Sequence, residues 1–294
     1  MNDLSFGNVD VLVGGMPCQS FSHAGKRLGL NDPRGELLLA FASLLKRTQP
    51  KMFLIENVRG LATHQNGDTL KVVIKTLADV GYTVRHELIN AVQHGVPQKR
   101  ERIFIVGIHK SINAETFRFP EPITKDPKCY PTVRTALHNP PPSPCGKYSE
   151  AKRAYMAQIP PGGCWVNLPD EQQKQAYMKA SYYASGGRRG ILYRLSYDKP
   201  CPTLLCNPQS KQSERCHPSE LRPLSVREYA RIQTFPDTYT FCGNVASQYR
   251  QIGNAVPVTL AKRIGQSIQT FLSSACPSLI RSPLPSPPCS WNSP

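Results

Sequence analysis

A cysteine, a glutamate and two arginines fall beside short apolar segments, and together they define a candidate reaction. Cys18 lies in GGMPCQSFSHAG (14–25), directly after the apolar run Val9–Gly15. A strand of an open α/β sheet that ends in a glycine-rich loop puts a thiol where such sheets bind ligands, which makes Cys18 a candidate nucleophile. The plain alternative is an inert cysteine in a turn, because reactivity needs a lowered pKa or a neighbouring base. Glu56 follows the apolar part of Lys51–Val58 (KMFLIENV), where a buried carboxylate is costly unless paired or protonated. Its alternative is a surface or helix-capping carboxylate. In Gly95–Arg102 (GVPQKRER), Gln98, Arg100 and Arg102 alternate, so on a strand they share one face. Two guanidinium groups there can hold a phosphate or a base oxygen, and the alternative is a solvated strand edge. A thiol, a carboxylate and a two-arginine clamp at adjacent strand ends suit nucleophilic attack on an electron-poor heteroaromatic ring.

The elements that must position these groups read as alternating strands and helices. Gly35–Gln49 spaces Leu37, Leu38, Phe41, Leu44 and Leu45 on one helical face, with Lys46 and Arg47 in the last turn and Pro50 beyond. Asp68–Val80 does the same with Leu70, Val73, Ile74 and Leu77, and Gly81 stops it. Thr83–Asn90 and Arg102–Ile108 complete a strand pair. The expectation is an α/β fold with helices covering a mostly parallel sheet. Ser111–Glu220 is proline-rich, basic and without sustained periodicity, which predicts a separate irregular module. Helical spacing returns at Ser225–Phe235 and Val256–Leu272, and a Ser/Pro-rich tail predicts disorder. The expected organisation is a catalytic lobe over 1–110, a recognition module over 111–220, a return to the first lobe over 221–272, and a tail over 273–294.

Composition narrows the partner. The 294 residues weigh 32.7 kDa and carry 36 Lys and Arg against 20 Asp and Glu, a net charge of +16 with pI near 9.5. Such an imbalance favours a polyanion, nucleic acid first. No stretch approaches the roughly 20 apolar residues of a membrane-spanning helix. The opening MNDLSFGNVD reads as no secretory leader, and the ten cysteines are expected as free thiols in a reducing compartment.

These motifs resemble those of the cytosine-5 DNA methyltransferases, especially the bacterial restriction-modification type. GGMPCQSFSHAG is similar to the nucleophile motif, DPRGELL (32–38) to the element after the mobile loop, ENV (56–58) to the acid motif and QKRER (98–102) to the Gln-x-Arg-x-Arg motif. RPLSVREYARIQTFPD (222–237) resembles the helix that organises the recognition domain, and QIGNAVP (251–257) the closing cofactor motif. The resemblance covers about Asp3 to Leu272, and six ordered motifs make coincidence negligible.

The resemblance implies a Rossmann-like sheet using S-adenosyl-L-methionine to methylate carbon 5 of a cytosine flipped out of double-stranded DNA. Cys18 would add to ring carbon 6, Glu56 would hydrogen-bond the ring nitrogen, Arg102 the base carbonyl, and Arg100 would support phosphate or thiolate. Asn57 and Gln98 would keep the site in register. Asp3, Pro17, Leu37 and Asn254 match cofactor positions; Gln19, Ser22, Lys26 and Arg34 belong to the closing loop, and Gln98 and Thr203 complete the DNA-facing set. The implied setting is the prokaryotic cytoplasm, on DNA at the nucleoid, with no membrane.

One element of the family pattern is not found: the Asp-Leu-Phe-x-Gly-x-Gly-Gly turn and the acidic residue that follows it. The expectation is therefore a sheet lacking about two strands, in a fragment, in a protein whose second chain supplies the front, or in a DNA-binding module without activity. An RNA methyltransferase is a nearby reading, although the large basic middle favours duplex DNA. A zinc site at Cys201, Cys206, Cys216 and His217 fits no compact spacing, so no metal is expected. A cysteine hydrolase would need His23, His64 or His94 as its base, in an arrangement that spacing does not support.

Overall fold

The computed structural model describes residues 9–16, 36–183, 189–211 and 213–275. The first lobe alternates β1 (Val11–Gly14), α1 (Glu36–Thr48), β2 (Met52–Val58), α2 (Asp68–Asp79) and β3 (Tyr82–Asn90). A two-residue strand β4 (Gln98–Lys99) and the long β5 (Glu101–His109) follow. Both helices bury most of the face that their spacing predicts: Leu38, Phe41 and Leu45 in α1, and Leu70, Val73 and Leu77 in α2; Leu44 and Ile74 are half-buried and Leu37 is exposed. Gly81, at φ 102°, takes the left-handed conformation that ends the second of these helical segments.

The sheet order is β1-β2-β5-β3. β1 runs parallel to β2, whereas β5 is antiparallel to both β2 and β3. The expectation of a mostly parallel sheet is thus corrected to a mixed one. β5 leaves β3 through a short connection with no crossover helix, so it must return in the opposite direction. It inserts between β2 and β3, and its run Ile103–Ile108 is buried throughout.

Two apolar layers clamp the sheet. α1 and α2 pack on Phe53, Ile55, Ile103 and Ile105. The opposite face, with Met52, Phe104, Val106 and Ile108, is covered by the final helix α7 (Val258–Ala275) through Leu260, Ile264, Ile268 and Phe271. Phe53 pairs with Gly107 across β2 and β5, and a Cβ at Gly107 would fall 1.9 Å from the Phe53 ring. The glycine therefore makes room for the ring.

The middle of the chain holds the short helices α3 (Glu150–Ala157) and α4 (Glu171–Met178) and strand β6 (Cys201–Pro202), which pairs in parallel with β4. One cluster there joins Tyr148, Met156, Leu168, Met178, Leu192 and Cys216. Buried Glu214 braces it, accepting from Tyr177 Oη at 2.9 Å and from the Leu192 amide. A further cluster joins Val133, Leu195 and Leu204 to α5 (Val226–Ile232) and α6 (Val245–Asn254). α5 begins with a capping box: the Ser225 side chain accepts from the Glu228 amide, while Glu228 accepts from the Ser225 amide. Among the described residues, no helix is long and apolar enough to cross a membrane.

Candidate active site

Glu56 and Arg102 are brought together by strand register. Glu56 lies opposite Phe104 on β5, and Arg102, two residues before Phe104, shares that face on the diagonal. Arg102 Nε donates to Glu56 Oε1 at 2.9 Å, with the side chains 11% and 21% exposed respectively. The sequence requirement that Glu56 be paired or protonated is met by pairing. Burial pushes the Glu56 carboxyl above its ordinary value, opposed by the charges of Arg102 and then Arg100. Burial likewise lowers Arg102, against the attraction of Glu56.

Asn57 links this pair to the loop after β1. It is buried, and its Nδ2 donates to the Met16 carbonyl at 2.7 Å. Its Oδ1 accepts from the Val58 amide. The chain entering the Pro-Cys-Gln segment is therefore fixed against β2. Asp3, Pro17, Cys18, Gln19, Ser22, His23, Lys26 and Arg34 lie outside the described residues.

The remaining predicted residues separate into two groups. Arg100 and Gln98, expected to share one strand face with Arg102, are buried tethers bonded to distant parts of the chain. Arg100 is 2% exposed; its Nη1 donates to Leu204 O, and its Nη2 to Gly253 O and Ala255 O, at 2.9–3.1 Å. It lies between β4 and β5, where the alternation of a continuous strand is broken. Burial, with Arg102 adding repulsion, lowers it to about 10, so it stays charged at neutral pH. Gln98 donates to Gln233 Oε1 and accepts from the Leu204 amide. Gln233 Nε2 in turn donates to Ile252 O and Ala255 O. Sequence reasoning missed Gln233, whose signal is its position in the quoted 222–237 motif.

Thr203, Leu37 and Asn254 sit nearer the surface. Thr203 Oγ1 donates to Lys99 O at 2.8 Å. Leu37 is 45% exposed at the first turn of α1, and Asn254 Oδ1 accepts from Cys206 Sγ at 3.0 Å. Cys201 and Cys216 are buried thiols pushed up to about 12, and among the described residues no His, Cys, Asp and Glu cluster suits a metal. His64 Nδ1 lies 2.6 Å from Thr69 Oγ1, and His94 is buried.

Replacing Arg100 with methionine should lower unfolding free energy by about 2–3 kcal/mol, because three carbonyl acceptors lose a charged donor. A urea midpoint equal to the parent's would show that the tether carries no net stability.

The sheet is mixed, with helices on both faces, and carries the carboxylate–guanidinium pair across its two central strands, an α/β architecture. A prophage-encoded Escherichia coli protein described as a DNA modification methyltransferase is 26% identical, with TM-score 0.60 over 91% of this chain and 80% of that one. The model of the C-5 cytosine-specific DNA methylases matches residues 1–270, and the chain belongs to that family. The Type II methyltransferase M.Sau96I of Staphylococcus aureus is 48% identical over 90% of this chain and 61% of its own length. M.PspPI of Psychrobacter sp. is 47% identical over 92% of this chain and 66% of its own length. The matches thus span less than two thirds of either relative.

Proposed function

We propose that this chain transfers a methyl group from S-adenosyl-L-methionine to carbon 5 of a cytosine in double-stranded DNA. The observation that carries the reading is Glu56 paired with Arg102, beside an asparagine that holds the chain two residues before Cys18. The Cys18 thiolate adds to ring carbon 6 of a cytosine swung out of the helix. Glu56, whose burial favours its acid form, supplies a proton to the ring nitrogen, and Arg102 turns a guanidinium N–H toward the base carbonyl oxygen. Carbon 5 gains nucleophilic character in consequence. When bound, the cofactor supplies an electrophilic methyl group to that carbon. Loss of the carbon-5 proton to solvent, departure of Cys18 as a thiolate and return of the ring-nitrogen proton to Glu56 restore the ring. Arg100 acts at one remove, tying residues 204, 253 and 255 to the chain between β4 and β5.

The described residues fit such a cofactor in size and wall chemistry. A cavity of about 680 Å³ lies between β1 and α7, lined by Val11, Val13, Leu54, Phe104, Val256 and Ile264, with Glu56 at its edge. That is within the range of small-molecule sites. Leu37 and Asn254, the described cofactor candidates from the motif resemblance, are outside this lining. Residues 111–220 are read as the module that faces the duplex, with Gln19, Ser22, Lys26 and Arg34 closing over the base and Thr203 at the DNA side.

The test incubates the 294-residue chain with an unmethylated mixed-sequence duplex and methyl-labelled S-adenosylmethionine. Label in 5-methylcytosine, with a covalent complex on a 5-fluorocytosine duplex, is expected. Duplex binding without either product would overturn the activity.

A further inference from the structure

Beside the Glu56–Arg102 pair opens a second cleft of about 460 Å³, lined by Arg59, Asn90, Lys99, Glu101, Arg102 and Thr203 among others. The proposed reaction uses its Arg102 edge, and Thr203 stands at its DNA side; Arg59, Lys99 and Glu101 have no part in either. Register assembles the rest: β2 ends with Val58 opposite Arg102, and Glu101 lies opposite Asn90. Arg59, the next residue after Val58, thus emerges beside Glu101. Its Nη1 pairs with Glu101 Oε2 at 2.6 Å, with side chains 60% and 35% exposed. Arg102 Nη1 donates to the Glu101 backbone carbonyl, and Thr203 fixes the carbonyl of exposed Lys99. The cleft therefore presents three cations, Arg59, Lys99 and Arg102, of which Arg59 is paired with Glu101 and Arg102 with Glu56.

An exposed ion pair of this kind adds little stability, so a phosphate of a polyanionic strand exchanges for the carboxylate at small cost. A guanidinium binds a phosphate through two parallel N–H bonds as readily as it binds a carboxylate. We propose that Arg59 is a phosphodiester contact for the target strand, occupied by Glu101 until nucleic acid enters the cleft. On binding, Arg59 moves from the carboxylate to a backbone phosphate alongside Lys99, and Glu101 is left to solvent. This rests on the reading that the chain acts on duplex DNA. Both side chains are surface groups, so their replacement spares the core.

The experiment measures binding of a fluorescently labelled mixed-sequence duplex across a salt series for the parent, Arg59→Gln, Glu101→Gln and the double variant. Arg59→Gln should weaken binding and reduce the slope of log affinity against log salt by about 0.9, the share of one phosphate. Glu101→Gln should tighten binding by about threefold at low salt, as expected for removing an exposed competing partner. That gain should shrink in the Arg59→Gln background, where no guanidinium remains to be released. An unchanged slope in Arg59→Gln would overturn the exchange. So would an equal gain from Glu101→Gln in both backgrounds, which marks simple repulsion of the duplex. A parent with no salt-dependent duplex binding would instead remove the underlying reading, and the exchange with it.

Discussion

Cys18→Ala should lose methyl transfer by at least about 10⁴-fold while binding duplex DNA as the parent does, because the proposed reaction has no second route to an activated ring carbon. Without sulfur addition at carbon 6, carbon 5 of cytosine stays part of an aromatic ring and is a poor nucleophile. The expected readouts are no incorporated label, no covalent product with a 5-fluorocytosine duplex, and an unchanged titration curve for the unmodified duplex. Measurable turnover by the alanine variant would show that another group, or direct transfer, does the chemistry. Loss of duplex binding together with turnover would assign Cys18 a structural role. The Asn57 bond to Met16 makes the first pattern the expected one, since the entry to the loop is held by backbone contacts that alanine leaves alone.

Glu56→Gln should slow methyl transfer by about 10²- to 10⁴-fold, the usual range for removing a positioned acid. The amide keeps the shape and can still accept from Arg102 Nε, so the sheet and the cleft should persist. The pH dependence follows from the direction of the carboxyl's shift. Burial raises Glu56 above its ordinary value, and the protonated form is the donor, so the parent rate falls as pH rises through that raised value. The glutamine variant has no proton to lose there, and its residual single-turnover rate should not show that fall. A variant that retains the parent's alkaline decline would assign the titration to another group.

Much of this arrangement was legible in the residues, and the exceptions have physical causes. The faces of α1 and α2 follow from 3.6-residue spacing because each packs on a flat sheet through one stripe. Glu56 was legible because a carboxylate on a buried strand must find a partner, and cross-strand register provided Arg102. Strand direction was hidden: β5 has the unbroken apolar run of a buried parallel strand, yet its short connection to β3 makes it antiparallel. The roles of Gln98 and Arg100 were hidden as well. Alternation assigned them a face, but their acceptors and donors lie at residues 204, 233, 253 and 255, which no local pattern connects to them. Arg59 and Glu101 flank motifs that drew attention for other residues, and only the register of β2, β5 and β3 brings them into one cleft.

The reach of Arg100 bears on the order in which the protein forms as it leaves the ribosome. Its bonds to Gly253 and Ala255 span 153 and 155 positions, whereas Glu56 and Arg102 lie within the first 110 residues. Chains are made amino end first, at about 5–20 residues per second, so residues 253–255, and the α7 face that covers one side of the sheet, arrive several seconds after the strands. In that interval the guanidinium must stay hydrated, and the segments it later ties together are not yet joined. Closing so long a loop also places these contacts among the slow, non-local steps of folding. The strands that bear the acid–base pair are therefore made well before the residues that complete its enclosure.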